Sequence, residues 1–442
     1  MHATLARMAI LAVALSCVDA QSQTDRLSDL AHLIGKEGSF WTEPAGNFAD
    51  RHGDIGFRWS SPPLVSQVRA KHPGLRFAGL KVWEAFVDFE ASHPSKVTLL
   101  LYSRGDIGDL SRAEFERLTQ QVRDALSSWC GSPPTEIQTP HERASRNRIM
   151  RTAWVCLPHR LDLACGSTHT RTFRAEFVRL SVTPFDQDDD PRTRPIFMPT
   201  HHGVISAFSL RDRIAQTPEG DVYVSGIPMV DQGNKGYCAV ATAERLLRFF
   251  ERGIDQHELA QAVDASAELG TNPETMVRVL RGICGKVGLK VRILERLEGK
   301  DYLRIVRDYN RAAKKQDVDP ITADGRVIIV SQLYGEMESG ILQSVRTKNR
   351  SAVRRFRKTV KTYVDGGIPL AWSVILGKFP EFPPLRQYGG HLRMIIGYNQ
   401  ASGELLYSDS WGPGHEIKRM RLVQAWTITT GLYSVFPENI RL

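Results

Sequence analysis

Apolar residues recur along this chain at two periods, and the places where the period changes mark out its elements. "KVTLLLYS" (Lys96–Ser103) is a short apolar run of strand length. "KVWEAFVDFE", "IMRTAWVCL" and "TFRAEFVRLSV" read as further strands. Between them, "SRAEFERLTQQVRDALSSW" opens with Ser111 and Glu114 at capping-box spacing. Phe115, Leu118, Val122 and Leu126 then fall on one helix face, and Gly131 and Pro133 end it. Residues 27–185 are thus expected to form an α+β domain. "DQDDDPRTRP" (Asp186–Pro195) breaks the pattern with charge and proline, so 186–202 is expected to be a linker.

A second domain is expected over 203–442. "CAVATAERLLRFF" places Ala239, Val240, Ala243, Leu246, Leu247 and Phe250 on one helical stripe. Glu244, Arg245, Arg248 and Glu251 lie off it, and Gly253 is the expected C-cap. Two buried-strand patterns follow late in the chain, "GIPLAWSVILG" (Gly367–Gly377) and "YGGHLRMIIGYN" (Tyr388–Asn399). A turn at Ser402-Gly403 leads into "ELLYSDSWGPGHE", so these last two strands are expected to pair antiparallel. "RTKNRSAVRRFRKTVK" (Arg346–Lys361) has no acid, and Val353, Phe356, Val360 and Val364 keep helical spacing, so it reads as an amphipathic helix with a solvated basic face.

Composition adds bounds. The chain has 442 residues, 42% hydrophobic and 24% charged, as expected for two or three soluble domains. Its formal net charge of +9 favours acidic surfaces in general. No nucleic-acid module signature accompanies the charge, and no nucleic-acid partner is expected. The N-terminus has Arg7, an apolar run from Met8 to Leu15, and the small residues Val18 and Ala20 at cleavage spacing. Residues 1–20 are therefore expected to be a signal peptide, and the product secreted or periplasmic. That run is too short to span a bilayer, and no stable membrane insertion is expected. The oligomeric state is not legible.

Cys17 leaves with the signal, and Cys130, Cys156, Cys165, Cys238 and Cys284 remain. An odd number leaves one thiol free unless chains pair, while the other four allow three full pairings. Cys156, His159, Cys165 and His169 are of types that suit zinc, but their spacing matches no known finger. A hairpin disulfide or two buried thiols is the simpler reading, and neither metal nor cofactor is expected.

Cys238 is the thiol with a chemical context. It sits where a glycine-broken loop becomes a helix, and unpaired N–H groups at a helix start favour an anion. A free thiol ionises near pH ~8.5, and a dipole term of up to ~2 kcal/mol does not by itself make a neutral-pH thiolate. A histidine partner is required, and His391 opens an apolar strand. Asp409, near the end of the next strand, can accept one imidazole N–H and orient the ring. Taken singly, each residue has a plain alternative: a buried cysteine, a structural histidine, a turn-capping aspartate.

Together these segments resemble the papain-like cysteine peptidases. "DQGNKGYC" looks like their loop before the nucleophile, "GGHLRMIIGY" like their histidine strand, and "DSWG" like their Asn-Ser-Trp-Gly segment. The order Cys, His, Asp and the stretch "DQHELAQAV" (Asp255–Val263) also resemble the bacteriocin-leader-processing peptidases. The resemblance implies a two-lobed α+β peptidase domain, with the nucleophile on a helical lobe and His and Asp on an antiparallel β lobe, preceded here by the separate α+β domain. It implies Cys238 as nucleophile, His391 as general base and acid, Asp409 as the orienting group and Gln232 as oxyanion donor. Gly236, Gly390 and Trp411 are the substrate-binding candidates, with Trp411 also suited to shielding the His–Asp hydrogen bond. Two departures stand out. Asp409 replaces papain's asparagine, and its charge is expected to raise the His391 pKa. Asn234, Lys235 and Gly236 occupy the loop where papain carries another cysteine.

The expected activity is that of an exported cysteine peptidase acting on peptide or protein through an acyl-enzyme. An amidase or acyltransferase (transglutaminase-like) on the same fold, or an inactive papain-like binding module, are the alternatives.

Overall fold

The strand patterns become two large antiparallel sheets and a small two-stranded one. The computed structural model describes residues 29–60, 67–137, 147–169, 172–185, 205–232, 237–251, 256–263, 273–285, 288–322, 329–385 and 388–441. The expected signal peptide, the linker 186–202 and Gly253 lie outside them. The chain divides into two units, Met1–Pro195 and Ile196–Leu442, and has the mixed helix and sheet content of an α+β protein.

The first unit is an eight-stranded sheet. Its strands are β1 (Arg58–Trp59), β2 (Gln67–Ala70), β5 (Glu84–Glu90), β6 (His93–Ser103), β7 (Thr135–Ile137), β8 (Asn147–Cys156), β9 (His159–His169) and β10 (Phe173–Pro184). The order is β1-β2-β5-β6-β10-β9-β8-β7. The stretch "KVWEAFVDFE" does not form one strand. Val82 N–H bonds Leu75 O at 3.0 Å and Trp83 N–H bonds Leu100 O at 2.7 Å, so the chain changes partner there. A small two-stranded sheet of β3 (Arg76–Phe77) and β4 (Leu80–Lys81) results. Helix α1 (Arg112–Cys130) has the full Ser111–Glu114 capping box and ends at Gly131 in the left-handed region. It buries Phe115, Val122 and Leu126, and packs on β8 and β10.

The second unit has β11 (Ile214–Gln216), β12 (Asp221–Val224), α2 (Cys238–Phe249), α3 (Gln256–Val263), α4 (Pro273–Cys284) and β13 (Leu289–Arg296). Then come α5 (Gly299–Ala313), α6 (Val330–Glu336), α7 (Ser339–Thr347), α8 (Arg350–Val364), β14 (Leu370–Leu376), β15 (Gly389–Asn399), β16 (Glu404–Ser408), β17 (Lys418–Arg421), α9 (Leu422–Ile428) and β18 (Thr429–Pro437). β15 is central. β16 pairs one of its edges, while β14 and β12 share the other. The basic stretch gives α8, capped by Asn349 and burying Phe356, Val360 and Val364. Its first residue departs from the expected solvated face: Arg346, on α7, is buried and donates to Trp426 O and Thr429 O.

Helix α2 buries more than its apolar stripe. Its stripe is buried as expected, but so are Glu244 and Arg245, at 7% and 1% exposure. The reason is that α2 is enclosed, packed against β15, α3 and α4 instead of lying on a surface.

Candidate active site

Cys238 is the first residue of α2, following Tyr237. The first helical residue has a backbone N–H with no intrahelical acceptor. Thr242, one turn on, donates its hydroxyl to Leu392 O at 3.0 Å, which clamps the start of α2 to β15 beside His391.

The strand geometry delivers the other groups. His391 is the third residue of β15, and residues two apart share a face, so Arg393 lies on the same side. Met394 pairs with Ser408 at the end of β16, which brings Asp409 alongside. His391 Nε2 lies 3.1 Å from Asp409 Oδ1, with both side chains fully buried. The Cys238 thiol is hydrogen-bonded to His391 and to the backbone N–H groups of Leu392 and Ala239. With Nε2 committed to Asp409, Nδ1 is the ring nitrogen that serves the sulfur.

Electrostatics follow from these contacts. Burial opposes the Cys238 thiolate, but the hydrogen bond and charge of His391 and the two N–H donors outweigh it, so the thiol pKa lies below its ordinary value. Burial also opposes the imidazolium, yet Asp409 and Cys238 hold the His391 pKa above its ordinary value. The Asp409 carboxyl is likewise resisted by burial and carried far below the usual carboxylate range by Arg393, His391 and Lys418.

Gln232 is 1% exposed. Its N–H bonds Ser410 O at 2.9 Å, and its side-chain oxygen accepts from Ser410 Oγ at 2.7 Å. That assigns the amide: the oxygen faces Ser410, and the NH2 end is the donor end. The turn after Asp409 is equally fixed. Asp409 N–H bonds His415 O at 3.0 Å. Gly412 has φ +79°, and a Cβ there would lie 2.9 Å from Asp231 Oδ2, so the glycine of "DSWG" is demanded by both conformation and space.

Trp411 stacks on His391 at 4.7 Å between ring centroids and an interplanar angle of 23°. It is 1% exposed, so it covers the imidazole and offers almost no surface to a substrate. Gly390 is exposed, and a Cβ there would meet nothing within 4 Å, leaving open space beside His391. Gly236 lies outside the described residues, as do Asn234 and Lys235.

With this geometry in hand, residues 224–434 match the family model described as Peptidase_C39 like family. The C-terminal half is a papain-like, Peptidase_C39-like domain. The match begins in β12 and ends in β18, so it holds the thiol, the imidazole and the carboxylate together. Comparison with curated proteins found no match.

Four buried residues of the Peptidase_C39-like domain were not read from the sequence. Arg393 Nε lies 2.9 Å from Asp409 Oδ1, and Lys418 Nζ 3.2 Å from Oδ2. Glu381 closes the cluster from the β14–β15 connection, 3.1 Å from Arg393 and 3.0 Å from Lys418. Arg245 of α2 donates to Asp409 O and Ser408 Oγ. One signal was present: a charged Arg393 alternating with His391 inside an otherwise apolar strand.

The zinc-like set of the first unit forms no such site. His159 is fully buried, accepting from Trp41 Nε1 at 2.8 Å and donating to Gly35 O at 2.7 Å, so both ring nitrogens are used. Among the described residues no group of three possible ligands gathers. Cys156 and Cys165 are buried thiols, and all five described cysteines are free.

Proposed function

We propose that the protein is an exported cysteine peptidase, hydrolysing peptide bonds of a peptide or protein substrate through a thioester intermediate. One observation carries this reading: the unbroken chain from the half-buried Cys238 thiol to the buried His391 and Asp409, with the thiol pKa lowered and the imidazole pKa raised. A thiolate–imidazolium pair is the form that attacks a carbonyl at neutral pH.

The sulfur attacks the carbonyl carbon, the C–S bond forms, and the carbonyl electrons move to oxygen. The Cys238 N–H and the Gln232 NH2 end then donate to the oxyanion. Losing one such donor typically costs ~3–4 kcal/mol in the transition state. His391 Nδ1 passes its proton to the departing amine as the C–N bond breaks. It next takes a proton from water, which attacks the thioester and releases the acid and the thiolate. Asp409 keeps the ring in register throughout, under the cover of Trp411.

On this reading α2–α4 form one lobe and the β14–β15–β16 sheet the other, with substrate entering beside Gly390. Residues 27–185 form a separate domain that positions substrate or serves as a pro-region. Residues 1–20 direct secretion or periplasmic delivery. Sizing the secreted product tests the pro-region: a fully active, full-length form argues against it.

The central test is a peptide-library digest with wild type beside Cys238→Ala. Wild type should release new peptide termini and the variant none. Amine incorporation without hydrolysis, or equal digestion by both proteins, defeats the peptidase reading.

A further inference from the structure

Asp409 does not face His391 alone. Its carboxylate meets two buried cations, Arg393 at 2.9 Å and Lys418 at 3.2 Å. Taken by themselves these would make a triad of one anion and two cations, with a net positive charge next to the imidazolium. Glu381 supplies the balance. Its Oε1 lies 3.1 Å from Arg393 Nη1 and its Oε2 3.0 Å from Lys418 Nζ, while Tyr407 OH donates to Oε2 at 2.7 Å. Side-chain exposure across Glu381, Arg393, Asp409 and Lys418 is 2% or less, so water screens none of these charges. Tyr407 lies 4.6 Å from the Arg393 guanidinium and 5.6 Å from the Lys418 ammonium, flanking both cations.

We propose that Glu381 is a positioning residue for the catalytic pair: by engaging the outer faces of Arg393 and Lys418, it leaves Asp409 as a net negative partner for His391. The proposal rests on the peptidase reading for the roles of Cys238 and His391. The other groups facing this centre are few. Arg245 approaches from α2, with Glu416 within its field. His415 lies across Trp411, its ring 5.4 Å away and edge-on. Among the described residues, Glu381 is the only carboxylate besides Asp409 in ion-pair contact with Arg393 or Lys418.

The physical consequence has a sign. Removing the Glu381 charge leaves an excess cation beside Asp409, and positive potential disfavours the imidazolium. The His391 pKa falls, and the thiolate–imidazolium window closes from its alkaline end. A purely structural Glu381 would lower stability and leave that pKa in place.

The test uses the full chain and needs no substrate. His391 is titrated by NMR of its ring nitrogens, and Cys238 by its rate of alkylation with iodoacetamide against pH. Glu381→Gln should move the His391 titration down by on the order of one pH unit, whereas Glu381→Asp, which keeps the charge, should hold it near wild type. An unmoved His391 titration in folded Glu381→Gln overturns the proposal. Should that variant not fold, Lys418→Gln is compared with the charge-balanced Glu381→Gln/Lys418→Gln. The first should raise the His391 pKa and the second bring it back; no difference between them overturns the proposal. Failure of the peptidase reading looks different: wild-type Cys238 would alkylate no faster than a free thiol at neutral pH, whatever Glu381 does.

Discussion

Arg245, on the helix that carries the thiol, donates to the backbone carbonyl of Asp409 across 2.9 Å. The same guanidinium donates to Ser408 Oγ at 2.6 Å and Pro228 O at 2.8 Å. Burial lowers its pKa to about 10, against the pull of Asp409 and Glu416, so it stays charged at neutral pH. One side chain thus locks the helix that starts at Cys238 to the turn that presents the carboxylate.

Arg245→Lys should separate placement from charge. A lysine keeps the cation but cannot make three directional bonds from a planar fork. We expect kcat/KM to fall by roughly 10–100-fold through misplacement of Cys238 against His391. Unmet buried acceptors should cost about 2–4 kcal/mol of stability. Steady-state kinetics and urea denaturation read the two effects. Wild-type values in both would mean the lock is dispensable.

The pH profile should be broad. The Cys238 pKa lies below and the His391 pKa above their ordinary values of ~8.5 and ~6.5. Activity rises as Cys238 ionises and falls as His391 loses its proton, so the lowered thiol and the raised imidazole widen the active window at both ends. An upper limb below pH ~6.5 contradicts the raised imidazole. The linked stability terms have opposite signs. The His391 term is full below ~6.5 and is lost as pH rises through its folded value. The Cys238 term is full above ~8.5 and is lost as pH falls through its folded value. Asp409 stabilises above ~3.9 and stops doing so only as pH drops through its strongly lowered folded value.

Asp409→Asn should be poorly tolerated here, although papain itself carries asparagine at the matching place. The amide can still orient His391, but Arg393 and Lys418 would then share Glu381 as their one carboxylate. Stranding buried charge of this kind costs about 3–5 kcal/mol. Urea melts of Asp409→Asn beside Asp409→Asn/Lys418→Met should show a large loss that the second change partly recovers. Equal stability of wild type and Asp409→Asn would show that the cluster contributes little.

In the first unit, Cys130 and Cys156 are in thiol–thiol hydrogen-bond contact. Oxidised glutathione should join them by thiol–disulfide exchange, with loss of two hydrogens from the protein and release of two reduced glutathiones. The crosslink should add up to ~3 kcal/mol. Burial raises the thiol pKa of Cys130 as well as those of Cys165 and Cys284, so exchange should be slow at neutral pH, and a disulfide is expected only where two thiols already touch. Non-reducing peptide mapping decides it, and retained alkylation of both Cys130 and Cys156 after oxidation defeats the expectation.

Much of this architecture was legible in local pattern. The Ser111–Glu114 box with Gly131 marked α1 to its ends, because caps are chemistry between near neighbours. The apolar runs marked β14 and β15, and the Ser402-Gly403 turn marked the pairing of β15 with β16. "KVWEAFVDFE" was read as one strand where there are two. Its division depends on Leu75 and Leu100 offering carbonyls from elsewhere in the chain, which no local period encodes. Glu244 and Arg245 lie off the apolar stripe and are buried all the same, because helical periodicity reports one stripe and says nothing about what covers the other face.

By itself, then, the sequence determined the helix start that holds Cys238, the strand that opens on His391 and the turn that follows with Asp409. Those are matters of spacing and capping. Only the tertiary structure decided which charges surround them. Arg245, Glu381 and Lys418 look like ordinary solvated residues in one dimension, and Arg393 stands out only as a charge in an apolar strand. Burial beside Asp409, where water no longer screens them, makes their mutual distances part of the pKa of the Cys238–His391 pair.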